Sequence, residues 1–315
     1  MKTNLTKFFI VMLIVTVTLS FNSCKREKNN ISISGAFALY PMTVRWAEEF
    51  KKVHPEVQIN ISGGGAGKGM TDALSGMVDL GMFSREISDA EKKKNVWWVA
   101  VVKDAVVPTI SANNPLLMDL QLRGLKKQQF QDIFILKKAT TWGALLKTQN
   151  AEKINIYTRS DACGAAETWA KYLGKKQEDL NGIGVNGDPG MADALKNDKL
   201  GIGYNNVNYA YDSRTKKKYP GVEVIPIDIN ENGLIDPEES FYNTIDELTK
   251  AIADGKYPSP PARDLYFVAK GSPDSKIVKE FLKWILTDGQ KFVSEAGYVK
   301  LTDEKIKSEL EKLDK

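Results

Sequence analysis

Of 315 residues, only two are cysteine and one is histidine. Two cysteines allow at most one disulfide, so the fold must be held by an apolar core, for which a hydrophobic content of 42% is ample. Catalytic metal centres need clustered His, Asp, Glu or Cys ligands, and one histidine does not supply them. His54 lies beside Pro55 at the end of a helix pattern, far in sequence from Cys163, which leaves no Cys–His nucleophile pair. Charge of one sign is also scarce: 44 Lys and Arg against 40 Asp and Glu give a formal +4. The two "KKK" runs, Lys92 to Lys94 and Lys216 to Lys218, therefore read as solvated surface, and no nucleic-acid partner is expected. The apolar run Phe8 to Leu19 falls short of the roughly 20 residues that span a bilayer.

That run nevertheless has a role. Lys2 and Lys7 precede it and small and polar residues follow it, the pattern of a secretory signal peptide over residues 1–23. The junction "LSFNSC" resembles a bacterial lipoprotein signal, although Phe21 and Asn22 depart from its commonest form. Cys24 is then the lipidated first residue, with residues 24–30 as a tether. The expected location is the periplasm or cell surface, lipid-anchored to a membrane.

Strand and helix patterns alternate along the rest. "ISISGAF" reads as a strand, "PMTVRWAEEFKKVHP" as an amphipathic helix, "VQINIS" as a strand and "GMTDALSGMVD" as a helix, and the alternation continues through "KINIYTR", "AAETWAKYLG" and "LGIGYNN". The implied fold class is α/β. Between "VQINIS" and its helix lies "SGGGAGKGM", with five glycines and Lys68 in nine positions. It fails the nucleotide P-loop pattern twice, at Ser62 and at Gly69. A glycine-rich turn entering a helix N-terminus still predicts an anion-binding loop.

Several stretches together carry a family resemblance: "SGAFALYPMTVRWAEEF", the glycine loop with "ALSGMVDLGMFSREIS", "YTRSDACGAAETW", "LGIGYNN" and "FLKWILTDGQKFVSEAGYVKL". In order and spacing they resemble the phosphate-binding proteins of bacterial ABC transporters. The resemblance implies a two-lobed periplasmic binding protein fold of type II, each lobe a mostly parallel sheet flanked by helices. It implies residues 31–110 as the first part of lobe 1, 111–215 as lobe 2 and 216–315 as the return to lobe 1, with crossings near "PTISANNP" and "NYAYDSRTKKKYPG". The implied ligand is inorganic phosphate or a related oxyanion, the implied partner an ABC permease, and the chain is expected to be a monomer and not an enzyme. Carried over residue by residue, the anion-binding segments are Phe37, Ala38 and Leu39; Ala66, Gly67 and Lys68; Ser84 and Arg85; and Arg159 with Cys163, Gly164 and Ala165.

Departures from the family pattern keep alternatives open. Family members place Ser or Thr hydroxyls where this chain has Ala38, Ala66, Cys163 and Ala165, and often an aspartate where it has Ser84. Sulfate, molybdate or tungstate therefore remains open beside phosphate. A secreted phosphate-handling enzyme and a lobe pair without ligand are the further readings.

A second motif is independent of that resemblance. "DINENGLIDPEE", Asp228 to Glu239, meets the calcium-loop pattern D-x-[DN]-x-[DN]-G-x5-E at every fixed position. Asp228, Asn230, Asn232, the Leu234 carbonyl, Asp236 and Glu239 are the expected ligands of a structural Ca2+, in a strand–loop–helix setting.

Overall fold

The computed structural model describes residues 29–314. The signal peptide, Cys24 and most of the tether thus lie outside the described residues. Among the described residues no helix is long and apolar enough to cross a membrane.

The first βαβ unit forms as its pattern dictates. β1 (Asn30–Gly35) and β2 (Gln58–Gly63) pair in parallel, Ile31 opposite Ile59 and Ile33 opposite Ile61. Between them α1 (Tyr40–Val53) buries Met42, Trp46 and Phe50, spaced four apart on one face, with Lys51 and Lys52 in the last turn where cations complement the helix dipole. α2 (Gly65–Ser75) returns the chain to β3 (Leu80–Phe83), parallel to β1. The short α3 (Asp89–Lys92) leads into β4 (Val96–Ser111).

The second half repeats the scheme. α4 (Leu117–Arg123), α5 (Lys127–Phe134) and α6 (Trp142–Leu146) precede β5 (Asn155–Arg159), followed by α7 (Gly164–Tyr172), β6 (Ile183–Val185), α8 (Gly187–Asn197) and β7 (Gly201–Asn206). α9 (Val207–Ala210), β8 (Val222–Val224), α10 (Ile245–Ala253) and β9 (Ala262–Lys270) come next, and α11 (Lys276–Leu286) and α12 (Asp303–Leu310) close the chain. The strands run in the order β2-β1-β3-β9-β4-β7-β5-β6, with β8 on β4. The outer strands of each half are parallel, whereas β4 and β9 run antiparallel to their neighbours.

Two apolar clusters define two lobes. One gathers Ile31 to Val102 and Leu265 to Leu313 around Trp46, Phe50 and Phe281. The other gathers Ala105 to Ala262 around Phe130, Trp169 and Tyr204, whose rings meet edge-on or stacked. The crossings expected near 108–115 and 208–221 are therefore corrected. β4 and β9 themselves pass between the lobes, and Ala105 opposite Ala262 is the last pair of their shared ladder. Residues 216–253 and the loop 228–239 belong to the second lobe, because Ile227, Phe241, Ile245 and Leu248 bury in its core rather than in the first.

Candidate functional site

Four segments meet at the seam between the lobes, at the ends of β1, β2, β3 and β5. After β1, the turn Phe37–Leu39 enters α1, and the N–H groups of Phe37 and Ala38 donate to nothing among the described residues. Tyr209 and Tyr298 fix this turn by donating to the carbonyls of Phe37 (3.3 Å) and Ala38 (2.8 Å). After β5, Cys163 caps α7: its Sγ accepts from Ala166 N–H at 3.4 Å. The first two amides of α7, Gly164 and Ala165, have no partner among the described residues, as the start of a helix leaves them. Ser84 and Gly164 abut so closely that a Cβ on Gly164 would lie 2.2 Å from the Ser84 carbonyl oxygen.

Arg159 is the charged centre of this seam. Its side chain is only 1% exposed. Nε and Nη2 donate to the two oxygens of Asp161 at 2.8 and 2.7 Å, and Nη1 donates to Asp188 Oδ2 at 2.8 Å. Burial works against the cation, yet Asp188 and Asp161 more than offset it and raise the guanidinium pKa. In return Asp161 is held below the usual carboxylate range: burial opposes this, but the Arg159 hydrogen bonds outweigh it. Three of the five guanidinium N–H donors are taken, which leaves two to reach a ligand.

Two other predicted cations have different duties. Arg85 stacks over the Phe83 ring at 4.5 Å, forks onto Glu91 at 2.7 and 2.9 Å, and reaches across the seam to Glu167 on α7 at 2.7 Å. Lys68 lies along α2 and bonds Asp72, which also accepts from Ser34 at 2.6 Å. Each thus has a carboxylate at contact, as Arg159 does. Both lobes are strapped further by Lys171 to Glu86 at 2.7 Å and by Gly67 N–H to the Ala162 carbonyl at 3.1 Å.

The glycine loop likewise serves close packing. α2 starts at Gly65, four residues earlier than the helix pattern suggested, and Ala66 is wholly buried inside it. A Cβ on Gly69 would sit 2.3 Å from the Met82 carbonyl oxygen and 3.0 Å from Gly35 Cα, so glycine is what lets α2 press onto β1 and β3. Cys163 is buried, and burial pushes its thiol up to about 12, which makes it a cap and not a nucleophile.

Residues 23–289 match the model of the PBP superfamily domain. The chain belongs to the PBP superfamily. Relatives at 25% identity include the phosphate-binding protein PstS of Staphylococcus epidermidis, aligned over 92% of this chain and 84% of its own length. PstS of Staphylococcus aureus aligns over 89% and 80% at the same identity. Among solved structures, a putative phosphate ABC transporter substrate-binding protein with bound phosphate from Clostridium perfringens has a TM-score of 0.71 at 24% identity, covering 87% of this chain and 100% of its own. An ABC-type phosphate transport receptor from Vibrio cholerae has a TM-score of 0.61 at 19%, covering 86% and 100%. All four are named as binding proteins or receptors. These structural likenesses carry the fold, and the two-lobed α/β expectation stands.

This PBP-superfamily cleft holds residues that pattern reading passed over. Asp188, at the start of α8, is 2% exposed and accepts from Arg159 and from Asn206 Nδ2 at 2.6 Å. Arg263 on β9 and Asp104 on β4 face one another at 3.9 Å, their side chains 8% and 1% exposed. The cleft, of roughly 1150 Å³, is lined by Arg159, Cys163, Lys103 and Arg263, among others.

The loop 228–239 stands apart on the second lobe. Gly233 N–H donates to Asp228 Oδ2 at 2.8 Å, and Asn232 and Leu234 N–H donate to the side chains of Asn230 and Asn232 at 3.0 and 2.8 Å. Both asparagine amides converge on Asp236 Oδ2 at 2.8 and 2.7 Å. Asp228 Oδ1 is buried with no partner among the described residues. Glu239 departs from its expected part: its oxygens accept the N–H groups of Ile229, Asn230 and Asp236 at 2.8, 3.0 and 3.3 Å. Among the described residues no three of His, Cys, Asp and Glu gather about one point. A turn at 237–239 ends the loop, and the expected helix starts only at Ile245.

Proposed function

We propose that this protein is a lipid-anchored receptor outside the cytoplasm that captures inorganic phosphate between its lobes and delivers it to an ABC permease. The observation that carries the reading is Arg159: a buried guanidinium fixed by two carboxylates with N–H groups to spare, to which the turns after β1 and β5 add the unpartnered amides of Phe37–Ala38 and Gly164–Ala165. Such an array fits a tetrahedral oxyanion, since amide dipoles and a planar fork match its oxygens without any group able to do chemistry on it. The names of the similar proteins support phosphate as the anion. Ser84 in place of a carboxylate favours a second reading, a fully ionised anion such as sulfate, molybdate or tungstate, because no proton acceptor is demanded there. Calorimetry of the soluble domain against the four anions separates these. Phosphate binding is expected; binding of another anion alone favours the second reading, and binding of none overturns both.

Calcium in the loop 228–239 is a separate proposal. The buried, unpartnered Asp228 Oδ1 and the convergence of Asn230, Asn232 and Asp236 support it, with Glu239 turning from its backbone partners to the ion. Lys126, bonded to the Glu231 carbonyl and 3.9 Å from Asp228, is displaced in that step. Chelator should lower the melting temperature of the parent by mass action and leave Glu239→Ala unmoved. An identical melting temperature of the parent with calcium and with chelator sinks the proposal.

A further inference from the structure

Arg263 has no place in the segments expected to bind the anion, yet its surroundings are unlike those of a structural arginine. Nε and Nη1 have no hydrogen-bond partner among the described residues, although the side chain is more than nine-tenths buried. Its natural counter-ion, Asp104, stands off at 3.9 Å with both oxygens unpartnered; the N–H groups of Ala105 and Val207 face that carboxyl without closing a hydrogen bond. Each buried polar atom left this way costs about 1–3 kcal/mol, so a pair retained for stability alone would be expected to close. Only Nη2 is engaged, donating to Asn206 Oδ1.

That single bond wires Arg263 to the site. Asn206 Nδ2 donates to Asp188 Oδ1 at 2.6 Å, and Asp188 Oδ2 accepts from Arg159 Nη1 at 2.8 Å. Two guanidinium groups are thus held on one rigid frame, both lining the same cleft and both with N–H donors to spare. One comes from β5 in the second lobe. The other comes from β9, which passes between the lobes.

We infer that Arg263 is a second arginine ligand of the bound oxyanion, supplying through Nε and Nη1 the donors that the missing hydroxyls at Ala38, Cys163 and Ala165 do not. This rests on the oxyanion-receptor reading. Burial lowers the pKa of Arg263 and raises that of Asp104, as befits two charges not yet fully compensated. The ligand class is a small tetrahedral dianion, whose oxygens can meet both arginines at once.

The test is phosphate calorimetry on the parent, Arg263→Lys and Arg263→Gln, with the melting temperature of each recorded without phosphate. Both variants should bind roughly 10- to 100-fold more weakly, lysine less severely affected than glutamine. Parent-like affinity in either variant overturns the inference, whatever happens to the melting temperature. Whether the variants bind weakly or fail to fold, a crystal structure of the unaltered protein with phosphate separates direct contact from positioning through Asn206 and Asp188: a guanidinium nitrogen of Arg263 within hydrogen-bond reach of a phosphate oxygen is expected, and contact by Arg159 alone refutes it. If the parent ignores phosphate but takes sulfate, molybdate or tungstate, the same comparison is made with that anion. If it takes none, the receptor reading and this inference fall together.

Discussion

Arg159→Ala removes three charge-assisted hydrogen bonds and leaves Asp161 and Asp188, their side chains 14% and 2% exposed, without the cation between them. Breaking a buried pair by deleting one partner costs about 3–5 kcal/mol, because the stranded charge is what destabilises. At roughly 2–4 °C per kcal/mol for a domain of this size, the melting temperature should fall by about 10 °C. The pH dependence gives a sharper check. Arg159 holds the Asp161 pKa below its unfolded value, so this contribution to stability is present above the ordinary carboxylate range and is lost as pH falls through the folded value. The deficit of the variant should therefore be full at pH 7 and shrink as pH falls below the ordinary carboxylate range in urea unfolding. Phosphate affinity should drop as well, by about 2–4 kcal/mol. Arg159→Lys should regain part of the stability and little of the affinity, a point charge being unable to fork onto two carboxylates and an anion. An unchanged urea midpoint at pH 7, or a deficit that grows as pH falls, would refute the account of Arg159 as the clamp of the site.

Gly164→Ala should wedge the seam open, because its Cβ would meet the Ser84 carbonyl oxygen at 2.2 Å; scattering should find the phosphate-soaked variant more expanded than the parent, while Gly190→Ala, with nothing within 4 Å, should match the parent. Burial raises Asp104 to about 7 in a setting shared by Arg263, Asp188, Tyr257 and Tyr298. Its contribution to stability is fully present below about pH 4 and lost as pH rises through about 7, a change of up to about 4 kcal/mol that Asp104→Asn should abolish; a variant with the parent's slope between pH 4 and 8 counts against it. Cys24→Ser should move the protein from the membrane fraction to the soluble one, and retention of a processed variant in the membrane would end the lipid-anchor proposal.

The alternation of β and α elements was legible because buried parallel strands leave apolar runs and each following helix leaves a face of period 3.6, as Ile31–Ile33 and Met42–Trp46–Phe50 do. The crossings between lobes were not, because they occur inside strands. β4 runs unbroken from Val96 to Ser111 through the charged pair Lys103 and Asp104 where it changes core, and β9 carries Arg263 and Asp264 at its start, a pair that reads as a solvated edge. The partners of Arg85 and Lys68 went unread for a related reason: residue type marks a cation but says nothing of the carboxylate that folding brings to it, and Glu91, Glu167 and Asp72 do so here. Asp188 was hidden by the converse, since "GDPG" looks like a surface turn until α8 sets that aspartate against Arg159, 29 residues away in the chain. A cation's availability for a ligand is thus a property of its partners' placement. The sequence points to Lys68, Arg85 and Arg159 alike, while the fold adds Arg263 to Arg159 as a buried guanidinium group with donors still to give among the described residues.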